Sequence, residues 1–188
     1  MKLQDAIEKR RSIRKFSDKK VSWDMVLEAI DAANQAPFAG NINNLQFIIV
    51  SDQENKNQLA KSSQQTWIAD APYIVVVCAE TKKLENHYDK LGIKYSKQQA
   101  GAAIENFLLK ITDMKLASCW IGAFSEEQIK STLKIPEKYD VEAILPIGKE
   151  KGKIKAPRKH NLETSIHWDK WGVQKKPIIF KDPSTSGS

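Results

Sequence analysis

The segment Tyr73-Ile-Val-Val-Val-Cys-Ala79 constrains the fold of this chain more than any other. It is β-branched and almost uninterrupted. A strand that is apolar at consecutive positions needs cover on both of its faces. A central strand clad on two sides implies layers, with helices packed over a sheet. The flanking sequence supplies them. Residues 2–9 can form a short helix with Leu3, Ala6 and Ile7 on one face. Ser22 is placed as the N-cap of a helix running to about Gln35, with Val26, Ile30 and Ala33 at helical spacing and Pro37 beyond its end. Residues 38–44 read as a loop and Leu45–Val50 as a buried strand. A polar surface helix follows over 55–64. Residues 97–115 give the widest apolar stripe, through Ala100, Ala103, Ile104, Phe107, Leu108 and Ile111. A short strand is expected over 118–122. Ser125-Glu-Glu-Gln128 is a capping-box pattern that opens a helix ending before Pro136. Residues 143–147 make the last strand, closed by Gly148. This alternation implies an α/β or α+β layered architecture.

With 188 residues, 41% apolar and 28% charged, the chain has material for both a core and a soluble surface. That composition excludes a disordered chain, a disulfide-stapled miniprotein and a low-complexity fibre. One globular domain over 1–181 is expected, followed by a tail, 182–188, without apolar residues. Such a tail is a mobile terminus or a vector-derived scar. No apolar run approaches the ~18 residues of a transmembrane helix, and the N-terminus lacks the apolar stretch of a signal peptide. No membrane association and a cytoplasmic location are therefore expected. Cys78 and Cys119 each lie in an apolar run, with no partner thiol or histidine at ligand spacing, so two buried reduced thiols are expected. His87, His160 and His167 are scattered, and no metal site is expected.

The net charge of +7 raises the prospect of an anionic partner. Most of it is lysine, dispersed and mixed with acids, which reads as a solvated surface. The four arginines are grouped instead: Arg10, Arg11 and Arg14 in one cluster, Arg158 in another basic stretch. Planar, bidentate recognition of phosphate or a ring carbonyl is what arginine does better than lysine. In an extended segment, residues two apart share a face. Arg10, Ser12 and Arg14 would then present two guanidiniums and a hydroxyl together, with Ile13 turned to the core. The competing reading is a helix C-terminus decorated with cations that favour its dipole. A second candidate is Ala36-Pro-Phe-Ala-Gly-Asn41 running into Asn43, where small residues let a loop approach a flat ligand and two amides offer donors and acceptors. An ordinary turn is the alternative. Pro146-Ile-Gly148 ends a buried strand, and its backbone N–H groups can face a ligand. No glycine-rich nucleotide loop, serine nucleophile elbow or paired Cys–His is present.

In their order these pieces resemble the nitroreductase family of FMN-dependent oxidoreductases, from Ala6 to about Trp171. The resemblance rests on Arg10-Arg-Ser-Ile-Arg-Lys-Phe16, Ala36-Pro-Phe-Ala-Gly-Asn41 and Trp67-Ile-Ala-Asp-Ala-Pro72. It continues through Lys115-Leu-Ala-Ser-Cys-Trp-Ile-Gly122, Leu133-Lys-Ile-Pro136, Leu145-Pro-Ile-Gly148 and Arg158-Lys159. It implies an α+β sandwich with a mainly antiparallel central sheet flanked by helices, in an intertwined homodimer that holds FMN at the subunit interface. By the same resemblance, Arg10 and Arg158 bind the FMN phosphate, and Arg11 and Ser12 lie along the ribityl phosphate. Arg14 stands at the pyrimidine edge. Pro37, Phe38 and Ala39 come from the other subunit, with Asn41 and Asn43 nearby, and the Ile147–Gly148 backbone approaches flavin N5. The implied chemistry is ping-pong transfer of hydride from NAD(P)H through the flavin to a nitroaromatic, quinone or similar small oxidant. It needs no catalytic side chain, because the cofactor carries the redox step.

Two departures bear on the oxidant. Phe38 stands where the family often has Ser, and Asn43-Asn-Leu45 replaces Gln-Pro-Trp. Phe38 either shapes the oxidant pocket or serves packing. Residues 85–98, expected as a loop beside the pocket, carry no readable pattern. Another task on the same fold, such as reductive dehalogenation or flavin reduction, is therefore the alternative. A flavin-less relative with a structural role, or a basic nucleic-acid-binding module, is further removed; no pattern for specific nucleic-acid binding is present. Trp67, Trp120, Trp168 and Trp171 are expected in the core or at a dimer interface, and Trp23 partly exposed.

Overall fold

The apolar run at 73–79 becomes one of the two inner strands of an antiparallel sheet. In the computed structural model, which describes residues 1–152, 154 and 160–175, the chain divides into two units, Met1–Ile154 and Lys155–Ser188. Within the first, the order is α1 (Leu3–Lys9), β1 (Phe16–Ser17), α2 (Trp23–Asn34), β2 (Leu45–Val50), α3 (Gln53–Ser62), β3 (Tyr73–Ala79), α4 (Thr81–Tyr88), α5 (Leu91–Asp113), β4 (Ala117–Ser118), α6 (Glu126–Leu133) and β5 (Asp140–Glu150). The strands run β1-β5-β3-β2, with β4 also on β5, and each pairing is antiparallel.

Alternation along β3 builds two cores. Val75, Val77 and Ala79 face α2 and α5, against Val26, Ala33, Ala103, Ile104 and Phe107. Ile74, Val76 and Cys78 face the other way, against Leu59, Ile68, Ile129 and Ile135. Val75, Val76 and Val77 have no exposed surface. Each such side chain contributes roughly 1.5–3 kcal/mol by leaving water. The expected α+β sandwich, with helices over both faces of an antiparallel sheet, is the observed one.

A bulge in β5 keeps both faces apolar. Val77 pairs with Ala143 and Cys78 with Val141, so Glu142 is the extra residue. Val141 therefore joins the α3–α6 core, while Ala143, two residues on, joins the α2–α5 core. Without the extra residue, positions two apart would share a face. The two arms of β5 then carry different neighbours: Asp140 to Ile147 lie on β3, and Ile147 to Glu150 on β4 and β1.

Several sequence expectations need correction. Residues 85–98 are not a loop. Asp89, at φ 48°, reverses the chain between α4 and α5, and α5 begins at Leu91, six residues before the expected start at 97. Gly92 is what permits this, because a Cβ there would collide with the Leu84–Glu85 backbone. The helix expected over 55–64 starts at Gln53, its N-terminus capped by Asp52, whose side chain accepts from Asn55 N. The strand expected over 118–122 is only Ala117–Ser118, followed by an isolated bridge from Ile121 to Ile144. β5 extends three residues beyond each end of 143–147. Half of the capping box forms: Gln128 N donates to Ser125 Oγ, whereas Ser125 N donates to Ser62 O. Ser22 takes its N-cap place without a side-chain cap bond.

In the second unit, Asn161 caps a short 3-10 turn, Leu162–Ser165. The His167 and Trp171 rings lie 4.3 Å apart. Trp171 is 90% exposed, and Trp120, in the first unit, 41%. Neither is a core residue of this chain. Trp67 is half-buried against Phe16, and Trp23 is exposed, as expected. The tail 182–188 lies outside the described residues.

Candidate functional site

Ile13 sets the geometry of the arginine segment. Its side chain is buried with Phe16, Ala71 and Ala117. Its N–H donates to Ser118 O at 2.9 Å, and Ser12 bridges Ser118 in parallel register. The chain is thus fixed in an extended state, and alternation does the rest: Ile13 points inward while Ser12 and Arg14 are exposed. Arg10 is half-buried, with Nε 3.1 Å from a Glu105 carboxylate oxygen. Arg11 takes a different part. Its guanidinium Nη1 donates to Glu8 O and Arg10 O at 2.5 and 2.7 Å, closing the carbonyl end of α1. The reading of a helix end closed by a cation therefore holds for Arg11, and Ser12 and Arg14 are left exposed.

Beneath this face lies the segment after α5. The buried Cys119 thiol stands close enough to Arg14, Ser12 and Arg10 to feel all three. Burial pushes its pKa up, and those neighbours oppose the shift. Cys78, deep in the sheet, is pushed up to about 12 by burial. Both thiols are unpaired. Beside the arginines opens a cleft of about 360 Å³, whose lining includes Lys9, Arg10, Arg11, Lys115 and Ser118. The Ser118 hydroxyl is buried and has no hydrogen-bond partner among the described residues. Such a group is destabilising by about 1–3 kcal/mol unless something satisfies it. The cations of this cleft suit a phosphorylated ligand such as a flavin mononucleotide; its lining also holds Ile13, Leu108, Ile111 and Glu150, and neither Ser12 nor Arg14.

The second candidate segment is the loop between α2 and β2. Gly40 and Asn41 are both left-handed, at φ 56° and 58°. A side chain at Gly40 would meet the Tyr88 hydroxyl. Phe38 is partly buried and packs on the α2–α5 core. Asn41 is exposed at the loop tip. Asn43 serves the loop itself, since Nδ2 donates to Asn34 Oδ1 and Oδ1 accepts from Leu45 N. Pro37 and Ala39 border a pocket of about 180 Å³ with Tyr95, Gln98, Gln99 and Ala102.

Ser12 and Arg14 are exposed in the arginine segment, and Asn41 at the tip of the loop. Ile147 and Gly148 are not brought to the surface beside Ser12. They pair with Ser118 and Ala117, one strand away, and Phe16 and Pro72 cover the open side of Gly148. Arg158 lies outside the described residues. Ser118, Asn44, Ser96 and Gln99 are residues that sequence reasoning missed. The signal was present: Ser96 and Gln99 fall on the same helical stripe as Ala100 and Ala103, where a polar residue needs a reason.

Comparison with known proteins bears on the family. The nitroreductase family model matches residues 7–69 and 60–149. A protein of Archaeoglobus fulgidus, provisionally named NADH dehydrogenase/NAD(P)H nitroreductase, is 31% identical over 170 residues, covering 86% of this chain and 94% of its own. The solved structure of an FMN-dependent nitroreductase from Clostridium difficile superposes with a TM-score of 0.78 at 25% identity, covering 89% of this chain and 99% of that one. An iodotyrosine deiodinase of Thermotoga neapolitana is 23% identical over 172 residues, covering 78% of this chain and 87% of its own. The chain belongs to the nitroreductase family.

Proposed function

We propose that this chain is an FMN-dependent oxidoreductase that takes hydride from NAD(P)H and delivers it to nitroaromatic, quinone or similar small acceptors in a ping-pong cycle. The observation that carries this reading is the extended segment Ile13 fixes, with Ser12 and Arg14 exposed on one side beside Arg10. FMN, when bound, supplies the hydride-carrying ring. Arg10 and Arg158 hold its phosphate, and Ser12 donates along the same stretch. Arg14 places a cation on the pyrimidine side, where it offsets negative charge in a water-poor site. Arg11 supports this arrangement by closing α1. Pro37, Phe38 and Ala39 of a second copy cover the ring and exclude water, so the working unit is a homodimer. No helix among the described residues is long and apolar enough to cross a membrane. A single domain over 1–181 and a cytoplasmic location remain part of this reading.

The test is the visible spectrum of purified protein before and after anaerobic addition of NADH or NADPH. Flavin bands that bleach support the reading, and the faster reductant identifies the donor. A colourless protein that binds no added FMN overturns it. The likeness to an iodotyrosine deiodinase favours one second reading, reductive dehalogenation of a halogenated phenol. Release of halide from a halotyrosine by the reduced protein, with slower turnover of nitroaromatics, would select it.

A further inference from the structure

Gln99 lies on the buried stripe of α5 and is 4% exposed. A buried amide must find partners for both its donors and its acceptor. Gln99 finds all of its partners in one loop. Its Oε1 accepts from Ala39 N at 3.1 Å, and its Nε2 donates to Ile42 O at 3.2 Å and to Asn44 Oδ1 at 2.5 Å. One side chain thus pins the loop at three points between Ala39 and Asn44.

The bonds behind it fix its orientation. Thr81 donates its hydroxyl hydrogen to Asp140, so its oxygen accepts from Ser96, 3.3 Å away. Ser96 in turn accepts from Asn44 Nδ2 at 2.8 Å, and the same amide donates to Glu80 O at 3.3 Å. With both Asn44 hydrogens directed there, Asn44 Oδ1 must face Gln99 Nε2, and Gln99 Oε1 must face Ala39 N–H. The chain of bonds runs in one direction from Ala39 to β5. Ser96, Asn44 and Gln99 are all buried.

We propose that Gln99 is a positioning residue for FMN: through its three bonds it holds Pro37, Phe38 and Ala39 in the one shape in which that segment meets the flavin. This rests on the reading that the loop approaches FMN. Gln99 itself touches no reacting atom. Its amide fixes the Ala39 backbone, and Phe38 and Pro37 follow from that anchor.

The test compares full-length wild type, Gln99→Leu and Gln99→Glu, each with its thermal midpoint and oligomeric state recorded. The first readout is amide hydrogen exchange across 37–44 in the flavin-free chain. The second is FMN affinity by fluorescence quenching, from the acid carboxylate range to above neutrality. Gln99→Leu is expected to speed exchange within 37–44 and to weaken FMN binding about tenfold. Gln99→Glu keeps an acceptor for Ala39 N–H and, while protonated, one donor. Its FMN affinity relative to wild type therefore falls as pH rises through the carboxyl titration, because the carboxylate has no hydrogen for Ile42 O or Asn44 Oδ1. Lost packing alone would not create that pH dependence. Unchanged exchange across 37–44 in Gln99→Leu, or a Gln99→Glu ratio flat with pH, overturns the proposal while the flavin reading stands. A wild-type chain that binds no FMN overturns the flavin reading, and the positioning role with it.

Discussion

The arginine segment and the loop from Pro37 to Asn44 are held in opposite ways. The first is anchored by its backbone and one apolar plug: Ile13 N–H on Ser118 O, and the Ile13 side chain in its own small core. The side chains of Ser12 and Arg14 are exposed beside that anchoring. The second is anchored by side chains, through a relay of the buried Gln99, Asn44 and Ser96 and the half-buried Thr81. Backbone pairing does not depend on the identity of exposed side chains, so the first segment can change its chemistry without losing its shape. The loop has no such freedom, because its shape and its supporting side chains are one system.

The largest expected effect separates binding from folding at the arginine segment. Arg10→Ala combined with Arg158→Ala should weaken FMN binding by about a hundredfold or more, since each charge-assisted bond is worth roughly 1.5–3 kcal/mol. The apo chain of Arg10→Ala alone should melt close to wild type, because the pair of Arg10 with Glu105 is half-exposed. A double variant that still purifies with stoichiometric flavin would remove these residues from the phosphate site.

Next comes the contrast in stability. Asn44→Ala should destabilise by about 1–3 kcal/mol, leaving Glu80 O without its amide donor and breaking the relay in the middle. Arg14→Ala should stay within about 0.5 kcal/mol, as surface changes do. It should also keep FMN and lower its reduction potential. Urea midpoints measure the first pair of values and a reductive titration the last. Equal destabilisation by the two variants would break the comparison.

A smaller effect concerns the loop tip. Gly40→Ala should be destabilising by about 1 kcal/mol for its left-handed backbone alone, and by more for the encounter with the Tyr88 hydroxyl. Adding Tyr88→Phe should return the second part and leave the first. A double variant no more stable than Gly40→Ala would show that the hydroxyl is not the obstacle.

The smallest effect is electrostatic and sits on the loop's side of the comparison. Glu142 has a side chain about one-tenth exposed, paired with Lys97 on the same turn of α5 as Ser96. Burial raises its pKa, the Lys97 hydrogen bond and charge oppose this, and Asp140 and Glu126 add to it. The folded chain therefore holds this proton more tightly than the unfolded one. The resulting stabilisation is complete below the ordinary value of 4.5 and is lost as pH rises through the raised one. Glu142→Gln should melt slightly higher than wild type at neutral pH, with the gap closing in acid. A gap that widens in acid would reverse the sign assigned here.

What could be read in advance follows from where the cause lies. β3 was legible because burial on both faces writes itself directly as consecutive Val residues. The alternation of Ser12, Ile13 and Arg14 was legible for the same local reason. The helical state of 85–98 was not, since it depends on Gly92 lying against a distant backbone and on Asp89 accepting a left-handed turn. β1 has two residues and exists only because β5 reaches past β3 to meet it. The clustering of the arginines, from which the cofactor face is proposed, stands in the sequence itself, whereas the relay behind the loop was hidden. Each of its members looks like a common polar residue until tertiary structure places Asn44, Ser96 and Gln99 within hydrogen-bonding reach.

The bulge at Glu142 bears on how this strand tolerates gain and loss of residues. On either side of it, inward and outward positions are already matched to the correct core. Excising Glu142 would join Val141 to Ala143 in unbroken alternation, with Cys78 and Val77 facing them in the same register. The strand thus reads like a sentence with one inserted letter, and striking the letter leaves every word in place. A chain one residue shorter at that point would keep both hydrophobic layers and lose only the tether to Lys97, whereas a deletion anywhere from Ala143 to Ile147 would put the wrong side chains on each face.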